Sequence, residues 1–322
     1  MNTKEKIKNY LKAKGKTTGK ELSDFLNITD RAVRKQLVNL LDEKIIIKTG
    51  KPPKVFYSLK KLSDQKEKIK IDLKTRKTIN NSYLLITSEG NKLEGIDGFA
   101  YWCKKQKLPI EKTAEEYIKT IKKYSAYKKN GLIDGMKKMK KTFDKIYLDN
   151  ILCIDFYSIE RFGKTRLGQL LLYAKQSQNK RLIKEIVETI SPIIKKIEKK
   201  YKIDGVGFIP PTVKREVQFM NELKKALNLK IKEIKITKIK TEISVPQKTL
   251  SKLSDRIDNA RQTFAIEEIG KFNSVLLIDD AVGSGATLNE IAKIIKEKGL
   301  TKKITGLSVV GSFKGFDVIS EV

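Results

Sequence analysis

The sequence predicts an α/β protein whose C-terminal third forms a mostly parallel sheet, preceded by a small N-terminal helical unit with a hairpin and by a mainly helical middle region. Three observations carry this expectation. Beyond about residue 202, short β-rich runs alternate with stretches of helical periodicity, the pattern of strands covered by helices. Within the first sixty residues, three helical stretches lead into two β-rich runs joined by a Gly/Pro turn. Between Lys112 and Lys200 the apolar residues recur mostly at helical spacing, with Ile151–Phe156 as one strand-like exception.

The chain has 322 residues, enough for two or three domains, and 39% of them are hydrophobic, enough for packed cores. No run of about 18 apolar residues occurs, and the N-terminal MNTKEKIKNY has no apolar stretch behind it. A cytoplasmic protein without a membrane partner is expected. Cys103 and Cys153 lie far apart, with no C-x-x-C pair, so neither a disulfide framework nor a zinc site is implied. Histidine is absent, which removes the commonest general base and metal ligand. The formal charge of +31 suits a polyanionic partner such as nucleic acid. Nearly all the cations are lysines, and a lysine coat also serves as plain solvated surface.

The N-terminal unit is expected to span residues 1–60. Ile7, Tyr10 and Leu11 share one helical face in Lys4–Ala13, and Leu22, Phe25 and Leu26 do so in Thr18–Leu26. Thr29 or Asp30 caps a third helix that turns Val33, Leu37, Leu40 and Leu41 inward. The run Ile45–Lys48, a turn over Thr49–Pro53 and the run Val55–Leu59 complete a hairpin. This order resembles a winged helix. On the third helix Arg31, Arg34 and Lys35 lie opposite the apolar face, where a recognition helix meets the major groove. Lys51 and Lys54 flank the wing, with Lys48 nearby, and suit adjacent phosphates. DNA is the expected partner of this unit, although winged helices also make protein contacts.

Residues 61–80 form a charged linker, and residues 81–200 the mainly helical middle region, readable as an extension of the C-terminal domain. There Gly95–Cys103 is glycine-rich and aromatic, open to two readings: a small packed core or a base-stacking platform. Asp155, Tyr157, Glu160, Arg161 and Lys164 surround a strand end, and Tyr173–Gln176 sits on a helix; both groups either line a site or lie on the surface. The tripeptide Gly163-Lys164-Thr165 is no nucleotide loop, because Ser158 stands where a Walker motif requires glycine.

The C-terminal domain, residues 201–322, is expected to contain strands at Gly205–Ile209, Ile231–Ile239, Val275–Ile278 and Thr305–Val310. Helices are expected at Lys214–Leu227 and Thr287–Lys298. Its most informative segment follows the third of these strands: Asp279-Asp280-Ala281-Val282-Gly283-Ser284-Gly285-Ala286-Thr287. Four apolar residues deliver two acids to the end of a buried strand, where ligands of open α/β sheets bind. Small residues then let backbone amides approach a phosphate, and the helix start adds its positive dipole end. The two carboxylates suit ribose hydroxyls and a divalent cation reached through ligand or water.

Val275–Thr287 resembles the phosphoribosyl-pyrophosphate (PRPP) motif of type I phosphoribosyltransferases, with Gly283-Ser284 where that family often has two threonines. The resemblance implies the corresponding fold, PRPP bound on Asp279–Thr287, and Mg2+ accompanying the ligand. Further segments resemble the ComF branch: Ile209–Arg215, the helix with Gln218 and Asn221, Pro246–Leu250, and Arg256-x-x-Asn259. In that likeness Pro211, Thr212, Lys214 and Arg215 meet the pyrophosphate. Thr241–Ser254 is expected to form a hood over the site, where Gln247 and Lys248 either touch ligand or belong to a plain polar loop, while Arg256 and Asn259 either face the site or cap the hood. No zinc-binding cysteine cluster of the ComF kind is present.

Three functions follow as expectations. A phosphoribosyltransferase would displace pyrophosphate from ribose C1, chemistry that positioning and charge stabilisation accomplish without histidine. A regulator would join the winged helix to a PRPP or nucleotide sensor, as purine repressors do. The ComF likeness adds an accessory role in DNA uptake or processing. The sequence leaves catalysis, the acceptor and self-association as a homodimer undecided.

Overall fold

The computed structural model describes residues 2–43, 45–59, 69–211, 213, 215–239, 245, 249–250 and 252–312. Thr212, Lys214, Gln247 and Lys248 therefore lie outside the described residues, as do residues 61–68 of the expected 61–80 linker, whose last part is helical from Leu73. The chain divides into two compact units, Met1–Ile69 and Lys70–Val322.

In the first unit the order is α1 (Thr3–Lys14), β1 (Lys16–Thr17), α2 (Gly19–Leu26), α3 (Asp30–Asp42), β2 (Ile46–Lys51) and β3 (Lys54–Leu59). Thr18 and Glu21 form a reciprocal capping box on α2. Of the two candidate caps of α3 it is Thr29 that acts, its hydroxyl accepting from Ala32 N at 3.3 Å, a device worth roughly 1 kcal/mol. Ile7, Leu11, Leu22, Val33, Leu37, Leu40 and Ile46 make the core. The antiparallel strands lie in the order β1-β3-β2. β2 runs to Lys51, three residues beyond the strand read from the sequence, and Lys51 pairs with Lys54 across Pro52-Pro53. Gly50 permits this at φ +84°, since a Cβ there would stand 2.2 Å from the Lys54 carbonyl oxygen.

The second unit begins with α4 (Leu73–Ser82), β4 (Leu84–Ile86), β5 (Lys92–Glu94), α5 (Gly95–Lys105) and α6 (Ile110–Ser125). Next come β6 (Lys128–Lys129), β7 (Leu132–Asp134), α7 (Met136–Thr142), β8 (Asn150–Phe156), α8 (Arg166–Gln176) and α9 (Lys180–Tyr201). The remainder is β9 (Gly205–Phe208), α10 (Phe219–Leu227), β10 (Lys232–Glu233), β11 (Ile236–Lys238), α11 (Leu253–Thr263), β12 (Phe264–Ile266), β13 (Val275–Val282), α12 (Ala286–Glu297) and β14 (Ile304–Gly311).

A seven-stranded sheet in the order β10-β9-β13-β14-β8-β7-β6 organises the unit. Its first five strands run parallel, and β7 and β6 are antiparallel additions. Alternate residues of the buried strands face opposite layers, as the two-residue repeat of a strand requires. Leu276, Ile278 and Leu307 pack with Leu170, Ile186, Ile190 and Leu223 of α8, α9 and α10. Val275, Leu277 and Ile304 pack with Ala260, Ile291 and Ile295 of α11 and α12. The glycine-rich aromatic stretch belongs to a third core: Phe99 and Tyr117 are fully buried, 5.4 Å apart between ring centroids, together with Tyr83 and Phe162.

Several boundaries differ from the sequence reading. The run Ile231–Ile239 is two short strands in different sheets, β10 and β11. Helix α10 starts at Phe219, not Lys214, and the Val217 amide donates instead to the Gln178 side-chain oxygen at 2.6 Å. Strand β13 continues through both acids to Val282, since β14 pairs with it as far as Gly311. Finally, β8 inserts from upstream as the parallel neighbour of β14.

Candidate functional site

The carboxyl ends of β9, β13, β14 and β8 share one edge of the sheet, because these strands are parallel. Asp279 and Asp280 follow the Val275–Ile278 core within β13, just beyond the point where its pairing with β9 ends. Ser284 is buried, Gly285 adopts φ +83°, and Ala286 opens α12, one residue before the start read at Thr287. A Cβ on Gly285 would meet Met139 Sδ at 2.6 Å, so both conformation and packing require glycine. The Ser284 hydroxyl accepts from Ala286 N at 3.3 Å. Asn289 anchors the helix from behind: its side chain accepts from Tyr147 N at 2.8 Å and donates to the Lys145 carbonyl at 3.0 Å. The turn and the first helical amides thus form a small-residue cradle of the type that accepts a phosphate.

The two acids differ in environment. Asp279 accepts the Asp280 amide at 2.8 Å. Burial, and then the neighbouring Asp280 carboxylate, push its carboxyl well above the ordinary carboxylate range. Asp280 instead takes the ammonium of Lys175, from the last turn of α8, at 2.8 Å. The side chains of Lys175 and Asp280 are only 12% and 17% exposed. Lys175 lay within a segment that the sequence left open between site and surface.

The structure brings part of the expected pyrophosphate loop to the same edge. Ile209 N donates to the Ile278 carbonyl at 2.9 Å, directly before the acids, so Pro211 follows from the strand end beside them. Pro211 and Arg215 are half-buried, and Arg215 precedes α10 in irregular chain. In the hood region Arg256 is buried, its Nε donating to the Leu250 carbonyl at 2.8 Å. Asn259 is half-buried on α11, and its carbonyl accepts the Thr263 hydroxyl at 2.6 Å. Of the residues around β8, Asp155 pairs with Lys128 at 2.6 Å, Glu160 with Lys123 at 2.6 Å, and Arg161 with Glu116.

A cavity of about 290 Å³ adjoins the cradle. Val282, Gly283, Ser284, Gly311 and Ser312 form one side, and Tyr127, Met139, Ile151, Cys153 and Phe156 contribute an apolar lining, with Asp134 and Lys138 among the polar groups. Burial pushes the Cys153 thiol up to about 11, so this wall presents a thiol and not a nucleophilic thiolate near neutral pH. The cavity escapes sequence reasoning because β8 reaches it only through long-range pairing.

Among the described residues there is no group of three or more side chains able to hold a metal ion. The acid pair supplies two carboxyls, one already paired with an ammonium. It fits a cation reached through ligand or water better than direct coordination. In the first unit Arg31, Arg34, Lys35, Lys51 and Lys54 are all exposed, as the sequence places them. No helix among the described residues is long and apolar enough to cross a membrane.

No protein-family model and no curated protein sequence matches the chain. Among solved structures it is similar to a hypoxanthine-guanine phosphoribosyltransferase from Bacillus anthracis, at 13% identity and a TM-score of 0.28 over 44% of this chain and 73% of that one. A hypoxanthine phosphoribosyl transferase from Trypanosoma cruzi gives 12% identity and 0.29 over 43% and 69%. The adenine phosphoribosyltransferase of Leishmania tarentolae gives 12% and 0.28 over 50% and 91%. The α/β assignment rests on the strand order and core described above.

Proposed function

We propose that the chain is a PRPP-binding protein of the ComF-like phosphoribosyltransferase type that also binds DNA through its N-terminal unit. The observation that carries the reading is the junction of β13 and α12: two acids at a sheet edge, then a buried glycine–serine turn opening a helix. The amides of Gly283–Thr287 receive the 5-phosphate. Asp279 and Asp280 take the ribose 2′ and 3′ hydroxyls. Pro211, Thr212, Lys214 and Arg215 meet the pyrophosphate, and Gln247, Lys248, Arg256 and Asn259 belong to the covering hood. Mg2+ arriving with PRPP neutralises the pyrophosphate charge. Arg31, Arg34 and Lys35 on α3, with Lys51 and Lys54 on the hairpin, make the DNA-facing surface.

The cavity beside Gly283 and Ser284 favours a second reading, in which the ligand reacts. It offers an apolar chamber for an acceptor whose nucleophile approaches ribose C1 as pyrophosphate leaves, and the chain's part is to orient both reactants and exclude water. The alternative without turnover is a regulator whose DNA affinity follows ligand binding.

Isothermal titration with PRPP and Mg2+ tests the ligand. Binding to the wild type should weaken by at least about a hundredfold in D279N/D280N, a loss of roughly 3 kcal/mol. Unchanged affinity refutes the site. Pyrophosphate release measured across a panel of bases and amines separates enzyme from sensor: turnover with any acceptor establishes catalysis, and ligand-dependent DNA binding without turnover establishes the regulator.

A further inference from the structure

We propose that Lys175 is a resident counter-cation of the acidic pair, which keeps divalent metal off Asp280 and lets a sugar phosphate bind without one. Lys175 and Asp280 come from α8 and β13, 105 residues apart in sequence, yet meet at 2.8 Å with both side chains largely buried. The lysine stem leaves a helix whose neighbouring Leu171, Leu172 and Ala174 are buried, so its direction is set by packing. In such surroundings a lone carboxylate costs more than a paired one, and Coulomb attraction is stronger than in water.

The pairing has a steric and electrostatic corollary. A Mg2+ ion coordinating Asp280 would sit about 2.1 Å from the carboxylate oxygen. On the oxygen that Lys175 holds, the two positive charges would then lie only about 4 Å apart, with the low-dielectric surroundings strengthening their repulsion. The pair also lacks a third described ligand that would compensate the ion for lost water. Meanwhile Asp280 keeps lone pairs for a hydroxyl, and Asp279 lies beside it with its Oδ1 on the Asp280 amide. The ammonium thus supplies the positive charge that the acids need, fixed in place before any ligand arrives. The metal half of the proposal rests on this geometry, whereas the sugar-phosphate half rests on the ligand reading above.

The test uses the full-length chain and two probes. Mn2+ alone is titrated against wild type, K175M, K175Q and K175M/D280N, and bound ion is counted by electron paramagnetic resonance. The wild type should bind Mn2+ at least about tenfold more weakly than K175M or K175Q, with the gain abolished in K175M/D280N. Equal Mn2+ affinity in wild type and single variants overturns the proposal, as does a gain that survives D280N. K175Q keeps an uncharged polar group on a shorter stem and serves if K175M does not fold. Ribose 5-phosphate is then titrated with EDTA and with Mg2+. Wild-type affinity should change less than about twofold, while K175M should need the metal, losing about tenfold without it. A wild type that binds ribose 5-phosphate only with Mg2+ overturns the second half. Should no variant bind ribose 5-phosphate under either condition, the ligand reading fails and the Mn2+ result alone decides the role of Lys175.

Discussion

At position 279 a carboxyl is held where burial and an adjacent carboxylate both oppose its ionisation. The sign of the resulting pH dependence is fixed. The folded chain holds this proton more tightly than the unfolded chain does. The stabilisation is therefore full below the unfolded value of about 4 and is lost as pH rises through the raised folded value. D279N keeps a neutral hydrogen-bonding group at every pH. Its melting temperature should match the wild type near about pH 4 and exceed it by roughly 2–5 °C near about pH 9. A melting difference that does not change with pH would show that Asp279 ionises normally. The paired acids and the glycines were legible because residue type and spacing alone announce them. Lys175 was not: in a chain with 69 lysines and arginines, one more cation near a helix end carries no signal. Asn289 was equally silent, since its buried bonds reach back to residues 145 and 147.

Among the elements, α3 and the β2–β3 hairpin were the most readable, because three local codes agree there. Thr29 caps, Val33 and Leu37 recur at helical spacing, and Gly50 with Pro52-Pro53 marks the turn. This agreement also makes the proposed DNA-facing surface testable by salt dependence. Replacing Arg34 with Ala should weaken duplex binding across sequences and reduce the slope of log affinity against log salt by about 1 if it contacts phosphate. Should it read a base edge instead, the loss concentrates on the preferred sequence at about 1–3 kcal/mol. No change in either quantity would remove α3 from the interface. The β10–β11 stretch was less legible, since nine β-rich residues read as one strand but divide between two sheets.

For the second unit as a whole, the decisive feature is non-local. The run Ile151–Phe156 reads as a strand, but nothing in it specifies a parallel place beside β14, a partner some 150 residues later. Register across such a distance is set by the complete core, which periodicity does not encode. One layer of that core mixes Ile154, Leu170, Ile186 and Ile190 with Leu276, Ile278 and Leu307. A fragment of residues 201–322 should accordingly fail to fold alone, showing no cooperative melting transition, whereas residues 70–322 should melt as one unit. Cooperative melting of the shorter fragment would mean that β8, α8 and α9 are accessory to the sheet. The cavity shares this origin, because Cys153 and Phe156 reach Gly283 and Gly311 only through the β8–β14 pairing.

That pairing also orders events during synthesis. β8, α8 and α9 are translated well before β14, whose residues 304–311 close the sheet. Until then β8 has no parallel neighbour, and the apolar faces of α8 and α9 lack much of the layer they cover. Contacts of such long sequence separation slow folding and prolong the exposure of sticky surface. Completion of the chamber beside Gly283 and Ser284, which Gly311 and Ser312 also line, becomes a late event, coupled to completion of the sheet.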